Sequence, residues 1–481
     1  MKKIVTMSLV AAMVMTSAHA VSNSALAAKL SALEVELAAV KKDMKKQKKK
    51  INEVKAHDAN DNIKWGVDLR TAIDNINYDM ADGKSYGKND LMSLRLWLNM
   101  AYAPNSHNVF KGQLSMNKAF GADFAGPFGR GGAFTQSNFD WIGNEALRGD
   151  ELHVRQAYWL YLGEKAFGAD IPWTFSVGRR PSTNGFLANL RDDDAAQSPL
   201  GHIINVEFDG LSSKLDLSNV TGVQGMSIKL CMGQGSTNAA PRFATSTDYA
   251  NIDGEVEDIT LAGFIFEPYN DGQFIVKSTY YKAFDLPDLI DPMYPSLGME
   301  NVGDMEGAAL SVLVDGLSDE GILAETKVFG SFAWSKTRPD SGKTMLGSAE
   351  SKTGTSYWFG AQVPVLGGKL GAEFNHGSQY WRPFTYAEDT MIGSKLAARG
   401  DAFEVYYTYQ LTESLSAQLR YTSIDYDYTG SNGFFGSTTG ASYKIDDIKA
   451  GAAAGDPMSQ GMLPFIVEKA QDARFYIRYR F

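Results

Sequence analysis

Ile63-Lys64-Trp65-Gly66-Val67-Asp68-Leu69-Arg70-Thr71-Ala72-Ile73 is the stretch that decides the fold. Its odd positions suit hydrocarbon and most of its even positions suit water. That period of two belongs to a strand with one face on each side, and no helix of 3.6 residues per turn produces it. The pattern lasts for about the ten residues a tilted membrane strand needs. It recurs at 92–102, 110–116, 152–162, 173–179, 357–363, 370–374, 403–411 and 415–421, and more faintly at 204–217 and 306–316.

The connections come in two sizes. Short ones carry turn-forming residues, at 103–106, 163–171, 219–225, 269–272, 317–321, 366–368 and 412–413. Long ones fall between them, at 74–90, 119–150, 182–203, 234–255, 284–305, 338–354, 379–400 and 427–470. Alternating short turns and long loops are the mark of an outer-membrane barrel. Eight long loops and seven short turns demand about 16 strands, with bounds of 14–18, and place both ends of the barrel on the periplasmic side. The fold class is therefore an all-β transmembrane antiparallel barrel over 61–481.

Two segments precede it. Residues 1–20 read as a secretory signal peptide: Lys2 and Lys3, an apolar run from Ile4 to Met15, then Ala18-His19-Ala20, with cleavage expected before Val21. The apolar run is too short for a spanning helix, and no later stretch reaches that length, so a membrane form must be a closed barrel. Residues 21–60 carry Leu26, Leu30, Leu33, Leu37, Val40, Met44, Ile51 and Val54 at coiled-coil spacing, interrupted by Gln47. This short periplasmic α-helical coiled coil implies a homo-oligomer, most simply a trimer. A helix packed on its own barrel is the alternative. Lys41, Lys42, Lys45, Lys46, Lys48, Lys49, Lys50 and Lys55 make its second half basic. Such a run is either a solvated face or a contact with peptidoglycan or lipid headgroups.

Composition excludes several classes. Aromatic residues make up 12% of the chain, with 47 glycines, 15 prolines and 21% charged residues, and mean hydropathy is -0.23, as expected where every strand has one apolar and one polar face. Cys231 is the one cysteine, and no His/Cys cluster suggests a metal. No cofactor is implied. Without Lys2 and Lys3 the net charge is about -12, which argues against nucleic acid. His107, His153, His202 and His376 come with no nucleophile motif, so an enzyme is not expected.

The polar parity of the strands should face the lumen. It holds Arg70, Arg95, Lys111, Arg155, Arg180, Lys277, Lys327 and Arg420 as candidate pore-lining cations, with Lys64, Lys214, Lys229, Arg474, Arg478 and Arg480, against Asp68, Asp216, Asp258, Glu325, Glu373 and Glu404. A basic lumen favours anions, unless inward-folding acidic loops neutralise it. Arg191, Asp192, Asp193 and Asp194 lie on the third long loop, which is expected to form a constriction. The alternatives for this acidic run are a solvated loop and a weak divalent-cation site.

The chain ends Ala473-Arg474-Phe475-Tyr476-Ile477-Arg478-Tyr479-Arg480-Phe481, with Phe475, Ile477, Tyr479 and Phe481 on one face. This resembles the C-terminal strand of bacterial outer-membrane proteins, whose last aromatic residue is read by the barrel-assembly machinery. With the coiled coil and the strand count, the chain resembles an uncharacterised family of bacterial outer-membrane porins carrying a periplasmic helical prefix. The resemblance implies a channel in outer-membrane lipid for passive diffusion of small hydrophilic solutes or anions. A structural or adhesive outer-membrane protein anchored to the cell wall is the alternative. No motif names the solute.

Overall fold

The alternation resolves, in the computed structural model, into sixteen antiparallel strands that close on themselves among the described residues. Those residues are 63–122, 124, 146–180, 182–243, 246–251, 256–290, 299–385, 388–431 and 440–481. The signal peptide at 1–20 and the coiled coil at 21–60 lie outside them. Ile63–Ala103 and His107–Phe481 form one compact unit.

In chain order the strands are β1 (Lys64–Met80), β2 (Ser85–Tyr102), β3 (Asn108–Ala119), β4 (His153–Gly163), β5 (Trp173–Arg180), β6 (Gly185–Phe186), β7 (Gln197–Leu200), β8 (Phe208–Asp216) and β9 (Ser227–Ser236). They continue with β10 (Ile259–Asn270), β11 (Phe274–Leu289), β12 (Met299–Asp315), β13 (Lys327–Pro339), β14 (Thr353–Val365), β15 (Gly368–Gly377), β16 (Gly400–Gln410), β17 (Leu415–Tyr426) and β18 (Val467–Arg480). Neighbours in sequence are neighbours in the barrel, except that β5 pairs directly with β8 and leaves β6 and β7 as a separate parallel pair. β1 and β18 close the seam with Arg70 opposite Arg478, and Val67 and Phe481 exchange two main-chain hydrogen bonds of 3.1 Å each.

The turns show their chemistry. Leu366 and Gly367 join β14 to β15, both with positive φ (51° and 76°), as a tight I′-type hairpin turn demands. Between β10 and β11, Asp271 Oδ1 accepts from the main-chain N–H groups of Gln273 (2.9 Å) and Phe274 (2.7 Å).

Two expected long loops are shorter than the sequence implied. The 74–90 connection is a turn at 81–84, because β1 runs on to Met80 and β2 begins at Ser85. Likewise β11 reaches Leu289 and β12 begins at Met299. At these strand ends the outward residues are polar, for example Asn75, which is exposed. Ile76, Leu286, Leu289 and Val302 are buried in these extensions, so the apolar-out, polar-in alternation of a membrane strand is absent there.

Odd positions of β1 and β18 face outward and even positions inward, as the parity implied. Outward residues build an apolar belt in which Leu310 is 51%, Phe332 54% and Leu419 60% exposed. Phe475, Ile477, Tyr479 and Phe481 belong to it. Among the described residues no helix is long and apolar enough to cross a membrane.

Candidate functional site in the barrel lumen

Two connections fold into the barrel. The first, 182–207, lies between β5 and β8; the second, 378–385 and 388–399, lies between β15 and β16. They join each other through hydrogen bonds from Asn205 N to Phe384 O (2.6 Å) and from Phe384 N to Ile203 O (3.0 Å). Leu187, Leu200, Ile203 and Val206 of the first and Trp381, Phe384 and Leu396 of the second pack on Tyr281, Met305, Phe329 and Trp358 of the inner wall. Each large apolar side chain fully buried there contributes about 1.5–3 kcal/mol, so one side of the lumen is filled by a hydrophobic core. His202 sits in it, bonded to Ser331 Oγ (2.8 Å) and Ser356 Oγ (2.9 Å), and burial pushes its imidazole down to about 3. It is a neutral structural histidine.

The opposite side is ionic. Asp389, on the second loop, pairs with Arg70 of β1 and Arg474 of β18 (3.0 Å), with Arg95 of β2 at 3.4 Å. On the first loop, Arg191 lies 3.3 Å from Glu404 and 3.4 Å from Glu388, while Lys395 bridges Glu404 (2.6 Å) and Glu373 (2.7 Å). Burial would weaken the charge on Arg191, but Glu404, Asp192 and Glu388 hold its guanidinium well above the ordinary value. Burial would likewise raise Asp192, yet Arg191 and Arg420 bring it down to about 2.

The three aspartates at the tip of the first loop go to different partners. Asp192 accepts from Tyr476 Oη at 3.3 Å, Asp193 pairs with Lys369 at 2.6 Å, and Asp194 pairs with Arg478 (2.9 Å) and Arg480 (2.6 Å). They converge on no common point where a cation would sit.

The cations singled out from sequence fall into distinct environments. Arg70, Arg95, Arg155 and Arg420 point inward but are 2–5% exposed, covered by loop carboxylates and neighbours rather than bare to water. Carboxylates of the two inward loops meet them there, which is the alternative of inward-folding acidic loops. Arg155 donates to Gln113 Oε1 (2.6 Å) and Thr183, lies 3.6 Å from Glu207, and stacks with Arg95 over the Trp97 ring. Lys277 pairs with Glu267 (2.9 Å) and Lys327 with Asp315. Arg180 donates to Ser176 and Ser212, and Lys111 is exposed.

Two cavities open at the short-turn end, divided by the loop tip. One of about 490 Å³ is lined by Lys64, Lys111, Arg155, Arg478 and Arg480 with Asp68 and Asp194, beside Trp97 and Tyr158. The other, about 1060 Å³, contains Asp193, Asp315, Glu325, Lys327 and Lys369.

Sequence reading missed the second inward loop and with it Asp389, Glu388 and Lys395. The signal was present. Trp381, Phe384, Ile392 and Leu396 are large apolar residues in a connection expected to be solvated, and such residues require something to pack against.

A closed sixteen-stranded antiparallel barrel with a charged, loop-lined lumen is porin-type architecture. Residues 86–481 match the family described as "Protein of unknown function (DUF3373)", and the chain belongs to it. No curated protein matches its sequence. Among solved structures it is similar to the "Anion-selective porin from Comamonas acidovorans", at 11% identity and a TM-score of 0.47, covering 87% of this chain and 99% of that one. It is also similar to OmpF of Salmonella typhi in complex with daunomycin (13% identity, TM-score 0.45, 88% and 99%). A third is the trimer form of OmpT, an outer-membrane protein of Vibrio cholerae (11%, 0.44, 87% and 99%). These likenesses are of fold.

Proposed function

We propose that this protein is a non-enzymatic outer-membrane channel through which small hydrophilic solutes diffuse passively, with a preference for anions. The cavity of about 490 Å³ carries the reading: five cations and two carboxylates line it, leaving an excess of positive charge at the mouth. Rings of Arg and Lys favour anions, and low-dielectric walls strengthen their field. The apolar belt supports hydrocarbon as the outer solvent, since a closed barrel leaves no strand edge unsatisfied. Residues 1–20 are proposed as the cleaved export signal and 21–60 as a periplasmic coiled coil that holds a homotrimer and contacts the cell wall. Phe475, Ile477, Tyr479 and Phe481 are proposed as the face read during barrel assembly.

A second reading, a structural or adhesive barrel that does not conduct, is favoured by the hydrophobic core inside the lumen. Planar-bilayer recording of the purified protein separates the two. Stable current steps with an anion-directed reversal potential are expected of the channel, and a silent membrane containing folded, inserted protein sinks it.

A further inference from the structure

A separate cavity of about 70 Å³ lies against the wall where β5, β8, β9, β10 and β11 meet the first inward loop, and Arg180, Ser198, Ser212, Lys229 and Thr279 are among the residues that line it. That volume exceeds what a single water requires. Lys229 is 9% exposed and donates to Ser198 Oγ at 2.6 Å, while Arg180 donates to Ser212 Oγ at 2.5 Å and lies over the Tyr158 ring. Neither cation makes an ion pair among the described residues, and no Asp or Glu lines the cavity. Glu207, on the adjoining loop, is turned to Ser182 N (3.1 Å) and Thr183 Oγ1 (2.6 Å). Lys214 stands directly opposite Lys229 in the β8–β9 ladder and adds to the positive field.

Thr279 supplies an independent observation. It is 5% exposed, and its hydroxyl has no hydrogen-bond partner. A buried hydroxyl with nothing to bond is rare, and a buried cation without a counter-ion is costly to hold. On the ionic side of the lumen, by contrast, the loop carboxylate Asp389 reaches Arg70, Arg95 and Arg474. Here a guanidinium, an ammonium and hydroxyl groups converge on one space that Ile204, Phe208 and Tyr281 shield from water.

We propose that this cavity is a binding subsite for a small inorganic oxyanion of the phosphate or sulfate class, on or beside the solute path. Several donors arriving from different strands suit a tetrahedral anion, and the planar guanidinium of Arg180 suits two of its oxygens. The subsite deepens the channel reading by naming a solute class, and it rests on that reading only for the route by which the anion arrives. Ser182 and Ser198 of the inward loop line the cavity together with Arg180 and Lys229, while its wall side carries the apolar Leu211, Met232 and Phe264, so the donors that would hold an anion lie on the lumen side and free anion is the occupant assigned.

The test uses the full purified chain in lipid nanodiscs, with sodium phosphate against sodium chloride at equal ionic strength. Phosphate is expected to raise the unfolding midpoint saturably and chloride not to. Lys229→Gln and Arg180→Gln should each raise the phosphate concentration needed by roughly tenfold or more, the worth of one charge-assisted hydrogen bond. Thr279→Val, which keeps shape and loses the hydroxyl, serves if either charge variant fails to fold, and should weaken binding in the same direction. Equal behaviour of phosphate and chloride, or undiminished phosphate binding in a folded variant, overturns the subsite. A protein that binds phosphate without conducting defeats the channel and leaves the subsite standing; conduction without saturable phosphate binding does the reverse.

Discussion

Asp389 Oδ1 accepts a hydrogen bond from Arg474 Nη1 at 3.0 Å, tying the second inward loop to the last strand of the barrel. Its other oxygen faces Arg70 and Arg95, so one loop carboxylate spans β18, β1 and β2 at the seam where the barrel closes. Burial would raise this carboxyl, but Arg70, Arg474 and Arg95 hold it well below the ordinary aspartate value.

Asp389→Asn should therefore unlatch the loop. Breaking a buried ion pair by removing one partner costs about 3–5 kcal/mol, because the remaining charges stay buried. The expected outcome is a lower unfolding midpoint together with a larger single-channel current. A variant indistinguishable from wild type in both measurements contradicts the latch.

Acid should act on the same contacts. A carboxyl whose folded value is depressed contributes stability above its unfolded value and loses it as pH falls through the folded one. For Asp192 that window runs from the ordinary 3.8 down to about 2. The contacts of Asp192 with Arg191 and Arg420 are thus expected to hold at pH 5 and to loosen only below about 4. Conductance recorded against pH checks this, and an opening transition at pH 5 or above tells against it.

His202 makes the opposite kind of pH term, on the apolar side. Its imidazole stays neutral down to about 3, whereas the unfolded chain takes up the proton near 6.5. Stability is therefore full above 6.5 and declines as pH falls from there towards 3. His202→Asn should be less stable at neutral pH, since the bonds to Ser331 and Ser356 are lost or bent, but should lack this part of the slope. Unfolding midpoints of both proteins between pH 7 and 4 decide the matter, and parallel curves refute the assignment.

The outward belt gives a test of the membrane reading. Phe332 faces out in mid-strand, paired with Leu310 on β12 and Tyr357 on β14. Phe332→Arg should cost about 2–4 kcal/mol in lipid, as a charge on the lipid face near the midplane does. Reversible unfolding from vesicles measures it, and a change within about 0.5 kcal/mol, the usual range for a water-exposed surface site, would falsify lipid contact there.

Strand parity, the strand number and the short turns were legible because hydrocarbon outside and water inside impose a period of two, and the turns require Gly, Asn and Asp. The extended ends of β1, β11 and β12 were not, since outward residues such as Asn75 are polar while Ile76, Leu286 and Val302 are buried, which breaks the apolar-out alternation. The 182–207 loop could be placed in the lumen by its position and its Arg191–Asp194 run. In the 378–399 connection Trp381, Phe384, Ile392 and Leu396 signal burial, but the ionic partners do not show, because Arg70, Arg95 and Arg474 lie 319, 294 and 85 residues from Asp389 and no local pattern links them. Parity fixes the direction a side chain takes and says nothing of what meets it there, so Arg70 and Lys111 looked equivalent in sequence although one is buried against a carboxylate and the other is exposed.

That difference determines where selectivity should reside. Lys64 and Lys111 are exposed, make no ion pair among the described residues, and line the cavity of about 490 Å³. Arg70 and Arg95 are already compensated by Asp389, so an ion entering from the short-turn end meets little of their charge. Charges beyond a screening length of about 8–10 Å contribute little in physiological salt, which removes most of the acidic outer residues from the balance. Lys64→Glu with Lys111→Glu is expected to move the reversal potential in a salt gradient towards cations, by more than Arg70→Gln with Arg95→Gln does. The shift should shrink as salt rises. A wild-type pore that is already cation-selective would mean that Asp193 and the carboxylates of the larger cavity dominate the entering ion, and the anion preference would then be wrong.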